Sequence, residues 1–215
     1  MDGTADRKHA ESAFISEVFH SLSQPLTALH CGLDLALQCD RTFEELRASI
    51  QTALDNTERL RQRLLLIRAL NDLVDSDAAA DVIDLSALLR ELYEDLLPLF
   101  EAAGRRLEVG ATSGPLLVRA DKIRLARALF VFVEYLYRYL PEGGLVGMHL
   151  DCDQGRAALG IKAQSCLPVG PERDSAAPAC ELELLRRTLV AAGGEFGPIS
   201  NTPDCREWLA TLPAA

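Results

Sequence analysis

The sequence has 215 residues, 48% of them hydrophobic and 25% charged, with a formal net charge of −10 and an isoelectric point near 4.9. That length accommodates one ordinary domain with an appendage, or two small domains. The acidic balance argues against nucleic acid and anionic membrane as partners, because both draw on a basic face to release counterions.

No apolar run reaches the roughly 18 residues that a membrane span needs, and the opening MDGTADRKHAES lacks the apolar centre of a signal peptide. The expectation is a soluble, cytoplasmic protein. Six cysteines (Cys31, Cys39, Cys152, Cys166, Cys180, Cys205) are dispersed without a C-x-x-C pair. They read as small buried hydrophobes, and no metal site is expected.

In the first third, apolar residues recur in alternating steps of four and three: Ile15, Phe19, Leu22, Leu26, Leu29, Leu33 and Ala36. The pattern resumes after the break at Cys39–Thr42, along Leu46, Ile50, Ala53, Thr57, Leu60, Leu64 and Ile67. Such spacing keeps one apolar seam on one helix face. Residues 1–76 are therefore expected to form an antiparallel helical hairpin. No third helix lies nearby to close its core, so a homodimeric four-helix bundle is the economical arrangement.

His20 follows the seam position Phe19 and is expected on the flank of the bundle. Five residues on, Pro25 interrupts an otherwise helical pattern. Proline lacks an N–H and crowds the carbonyl four residues back, that of Ser21, so a mild kink beside the histidine is expected. Arg59, Arg61, Arg63 and Arg68 on the second helix read as a solvated face.

The stretch FISEVFHSLSQPLTAL, residues 14–29, resembles the H-box of bacterial sensor histidine kinases. Phe14, His20, Pro25 and Leu26 carry the resemblance. It implies that His20 accepts a phosphoryl group on its imidazole. The residue after the histidine is usually Glu or Asp in that family, a base for attack on ATP; here it is Ser21, which takes up a proton poorly. Gln24 stands where the family often has a polar residue that orients water for dephosphorylating a partner.

Residues 75–81 (DSDAAAD) read as a linker. From 82 to 215 strands and helices are interspersed, as in a two-layer α/β sandwich. A strand at 82–85 leads to a helix at 86–103 closed by Gly104, and strands follow near 106–111 and 116–119. Asp121 caps a helix running to Tyr139. A strand pair, 145–151 and 157–163, turns at Gln154-Gly155, a helix covers 181–192, and two strands near Glu195 and Trp208 finish the domain.

This order resembles the histidine-kinase ATP-binding domain, a Bergerat-type sandwich. RADKIRLARALFVFVEYLYRYLPEGG, IKAQSCLP and ACELELLRRTLVAAGG carry the likeness. The resemblance puts the family's magnesium-holding Asn at Tyr135 and a preceding Asn at Val131. It puts the adenine-bonding Asp at Ala163, the next glycines at Ser165 and Leu167, and the phosphate-facing glycines at Ala179 and Glu181. Tyrosine is a poor magnesium ligand, alanine accepts no hydrogen bond, and Glu181 sets negative charge where phosphates would meet a helix N-terminus. The domain is thus expected to be degenerate, to bind no cofactor, and to serve as a pseudokinase shell.

The fold expectation is α+β, a helical hairpin followed by this degenerate sandwich. The functional expectation is a histidine phosphotransferase of a bacterial two-component phosphorelay, passing phosphoryl groups between receiver-domain aspartates through His20 without ATP. The partners expected are response-regulator receivers, which would supply Mg²⁺, and a second copy of the chain. Two alternatives stand beside it: a divergent sensor histidine kinase/phosphatase, and a non-catalytic regulator that binds a receiver.

Overall fold

The computed structural model describes residues 3–38, 42–72, 80–110, 114–153, 155–165, 180–202 and 205–215. Among them the fold is mixed α+β, with five helices and seven strands. The chain divides into two compact units.

The first unit holds α1 (Gly3–Gln38) and α2 (Phe43–Asp72). The helix α1 runs through Pro25 without a break. The start of α2 is fixed by a reciprocal cap: Glu45 N donates to Thr42 Oγ1 at 3.3 Å, and Thr42 N donates to Glu45 Oε2 at 2.8 Å. Two donors with no partner inside the helix are thereby satisfied. The two helices pack on each other, with small residues, among them Ala28, Gly32, Ala48 and Ala53, lining a cleft between them. Much of the apolar seam stays open to solvent, as at Leu26 and Ile50, 56% and 49% exposed.

The second unit opens with β1 (Asp81–Asp84), α3 (Leu85–Ala102), β2 (Arg106–Val109), β3 (Leu117–Ala120) and α4 (Lys122–Tyr137). It continues with β4 (Leu145–Asp153), β5 (Arg156–Gln164), α5 (Cys180–Ala191), β6 (Glu195–Asn201) and β7 (Cys205–Pro213). Five strands form one sheet in the order β2-β4-β5-β7-β6, while β1 and β3 make a separate antiparallel pair. The pairing β2–β4 is parallel and the others in the large sheet are antiparallel.

Alternation along the strands gives the sheet one apolar face. Leu159, Ile161 and Ala163 on β5 are buried, as are Trp208, Ala210 and Leu212 on β7. Helices cover that face. Phe132 of α4 is fully buried and meets Phe196 and Trp208 edge-on, with ring centroids at 5.5 and 5.3 Å. Local signals set the helix ends. Asp84 and Asp121 cap α3 and α4, accepting from Ser86 N at 2.9 Å and Arg124 N at 3.0 Å. Asp84 also accepts from Leu116 N at 3.1 Å, which ties the small sheet to the start of α3. Gly104 and Gly193, at φ +62° and +74°, follow α3 and α5 in the left-handed conformation that glycine adopts without strain.

Candidate functional site

Two sets of residues bear on function, one in each unit. In the helix pair, His20, Ser21, Gln24 and Pro25 all lie on α1. The side chains of His20 and Ser21 lie outside the described residues. Gln24 stands four residues after His20, one turn along the same helix face. Gln24 is exposed and Pro25 is half-buried. Phe19 beside the histidine is 66% exposed.

In the α/β unit, Tyr135 sits near the end of α4, half-buried, stacked on Phe132 and edge-on to Tyr139. Ala163 is fully buried near the end of β5. Ser165 follows with φ +59°, the one non-glycine residue with positive φ among the described residues. Glu181 lies in the first turn of α5 and is buried. Its Oε1 is 3.6 Å from Arg138 Nη1, and Arg138 Nη2 lies 3.3 Å from Glu134. Leu167 and Ala179 lie outside the described residues.

A second charge cluster follows one turn into α5. Arg186 donates from Nε and Nη2 to Glu183 at 2.7 and 2.6 Å, and Arg187 Nε donates to the same carboxylate at 2.6 Å. Burial pushes the Glu183 carboxyl up. The hydrogen bonds and charge of the two arginines outweigh burial and hold it below the ordinary glutamate range.

Ala163 presents only a methyl group. Its cross-strand neighbour is Arg206 of β7, a donor. Tyr135 offers a phenol. Glu181 puts a carboxylate, already paired with Arg138, at the positive end of α5. The sequence reading missed Arg206 and the Glu181–Arg138 pair, because both depend on elements distant along the chain. The one available signal was a cationic residue in the alternating apolar run of β7.

An open cleft of about 650 Å³ lies elsewhere in the unit, lined by Ser86, Arg90, Tyr93, Leu107 and Gly110 among others. It shares no lining residue with the altered positions. Among the described residues there is no cluster of metal-ligating side chains, and no helix is long and apolar enough to cross a membrane.

No family model matches the chain. It is 29% identical over 152 residues to the sensor protein IrlS of Burkholderia pseudomallei, covering 70% of this chain and 32% of that protein. The chain spans about a third of the length of the curated relatives it matches. Its fold resembles that of the histidine kinase AdeS of Acinetobacter baumannii, with TM-score 0.70 and 18% identity, covering 90% of this chain and 97% of that one. It also resembles histidine kinase ThkA, solved in complex with the response regulator TrrA. There the TM-score is 0.73 at 13% identity, covering 99% of this chain and 64% of that one.

The chain is histidine-kinase-like. The likenesses correct the phosphorelay expectation: the curated relatives are named sensor proteins, and the fold over nine-tenths of the chain resembles that of histidine kinase AdeS. The error has a physical source. The phosphorelay expectation rests on single positions such as Ala163 and Glu181, which bear on how a ligand fits, whereas the likenesses come from the framework that carries them.

Proposed function

We propose that this chain is the phosphoacceptor and nucleotide-domain portion of a divergent sensor histidine kinase/phosphatase acting on a response regulator. His20 is the phosphoacceptor. A neutral imidazole nitrogen attacks the terminal phosphorus of a nucleoside triphosphate. The bond to the bridging oxygen breaks and the nucleoside diphosphate leaves, and the phosphoryl group later passes from the imidazole to a receiver aspartate. Ser21 replaces the carboxylate that would assist the first step, so phosphorylation is slow. Gln24, one turn on, serves the reverse reaction by positioning a water against the phosphorylated receiver.

The reading is carried by one observation. A helix pair bearing His20 ahead of Gln24-Pro25-Leu26 precedes, in the same chain, an α/β unit with the fold of a sensor kinase. The response-regulator complex of ThkA supports a receiver as partner. The exposed seam of α1 and α2 supports a second copy of the chain, whose matching seam would close a four-helix bundle.

The test follows label from γ-labelled ATP and GTP into the chain, and from phosphorylated receivers into free phosphate. The expected result is slow, acid-labile labelling that disappears in His20→Gln, with dephosphorylation of the receiver weakened in Gln24→Ala. Labelling that survives His20→Gln would overturn the assignment. So would a chain that takes no label and changes no receiver's phosphorylation.

A further inference from the structure

The two edges of the five-stranded sheet are built differently. At one edge, β6 carries Pro198 and a shift of register between Pro198 and Ser200. A proline without an N–H and a bulge both spoil the backbone row that another strand would need. At the other edge, β2 has neither, and Arg106–Val109 run in unbroken register along β4.

The hydrogen bonds of β2 leave part of its backbone unused. Arg106 N and Gly110 N donate inward, to Gly144 O at 2.9 Å and Met148 O at 2.7 Å. Alternate residues of a strand direct their N–H and C=O groups to opposite sides, so those of Leu107 and Val109 point out from the sheet. Among the described residues no strand pairs with β2 on that side. The open cleft of about 650 Å³ lies between α3 and β2 and is lined by Leu107, Glu108, Val109 and Gly110, so α3 does not close off this edge.

The side chains select the occupant. Arg106 and Glu108 are exposed and form no ion pair among the described residues. Both stand on the same face of β2, either side of Leu107. Two copies of β2 can meet antiparallel about a two-fold axis at Leu107, which sets Arg106 of one copy opposite the partner's Glu108, and the reverse. The two Leu107 residues then exchange N–H···O=C bonds, and Val109 N–H meets the carbonyl of the partner's Arg105. The N–H of Arg105 is already used, donating to Phe100 O at 2.9 Å. An axis at Glu108 would instead oppose two glutamates, and like charges directly opposite are destabilising. We infer that the β2 edge docks the β2 edge of a second copy, antiparallel, in the register that pairs Arg106 with Glu108. The contact is isologous, distinct from the seam of α1 and α2, and independent of the proposed kinase reaction.

The test uses the full chain carrying Leu26→Glu and Leu33→Glu, which removes the helix seam as a competing contact. Sedimentation from micromolar to about 1 mM should show monomer giving way to dimer in the upper part of that range, as expected of a contact made by one short strand. Arg106→Glu or Glu108→Arg alone turns both attractive pairs repulsive and should weaken the dimer about tenfold. The two swaps together should restore it, with unfolding midpoints unchanged throughout. Hydrogen exchange reads the register directly: protection of the Leu107 and Val109 amides should rise with concentration, while that of the β6 amides does not. Monomer throughout would leave the edge to a strand of another protein and overturns the inference. So does a dimer that tolerates both single swaps, or one that leaves Leu107 and Val109 unprotected.

Discussion

In the helix pair, Phe19 is 66% exposed and Leu37 is 86% exposed; in the α/β unit, Phe100 and Phe132 are fully buried. Both units have strong apolar patterning, so the difference is one of closure. The sheet folds its apolar face under helices drawn from the same unit. The helix pair leaves much of its apolar seam exposed within its own unit. Burial inside a unit makes it stable alone, whereas an open seam makes a unit dependent on concentration.

That contrast can be broken most sharply at Phe132. Its truncation to alanine removes the ring that meets Phe196 and Trp208, and should destabilise the α/β unit by about 3–5 kcal/mol. Denaturant unfolding followed by Trp208 fluorescence reads it. A loss comparable to that of Phe19→Ala would refute the distinction between closed and open units. Next in size is the seam itself. Leu26→Glu combined with Leu33→Glu should weaken self-association by about 2 kcal/mol per leucine and yield monomer at micromolar concentration in sedimentation. A wild-type chain already monomeric there would end the dimer reading.

A smaller effect separates local from tertiary support in the α/β unit. Asp84→Ala deletes both the α3 cap and the bond from Leu116 N, and should lose about 1–2 kcal/mol in the same unfolding experiment. The smallest effect concerns acid. The folded pKa of Glu183 is depressed, so its contribution is complete above the unfolded value and is lost as pH falls through the folded one. Glu183→Gln should therefore flatten the acid side of the stability curve below about pH 5, while the helix pair's own acid response is unchanged. An identical pH profile for wild type and variant would show that the arginine cluster on α5 contributes nothing.

Helix ends were legible in part, through residues adjacent in sequence. Asp121 and Gly104 stand at the helix ends expected of them, and Gly193 follows the helix expected over 181–192. The caps made by Thr42 with Glu45 and by Asp84 were not anticipated, Asp84 falling inside the strand expected at 82–85. The strand runs were legible too, through alternation. Their order was not: the parallel β2–β4 pairing and the separate β1–β3 pair join segments whose partners no local pattern names. The site divided in the same way. Tyr135, Ala163 and Glu181 are singled out in the sequence only by a resemblance. That Arg206 stands against Ala163, and that Arg138 holds Glu181, follows only from register and packing. The step from those positions to a phosphorelay function failed, because single positions bear on how a ligand fits, whereas the likeness to sensor proteins is carried by the framework.

The parallel strand β2 also has a kinetic consequence. It joins the sheet beside β4, and the chain between them passes through β3 and α4. By contrast β4–β5 and β6–β7 close short loops. Loop-closure entropy favours those hairpins first, so β2 is expected to dock late in folding. Until it does, the edge of β4 at Val146 and Met148 is open to pairing with another chain. Pulse-labelled hydrogen exchange during refolding should find the β2 amides protected last; simultaneous protection of β2 and β5 would contradict this order. Refolding yield should accordingly fall as protein concentration rises, with assembly of the nascent sheet edge competing against completion of the native one.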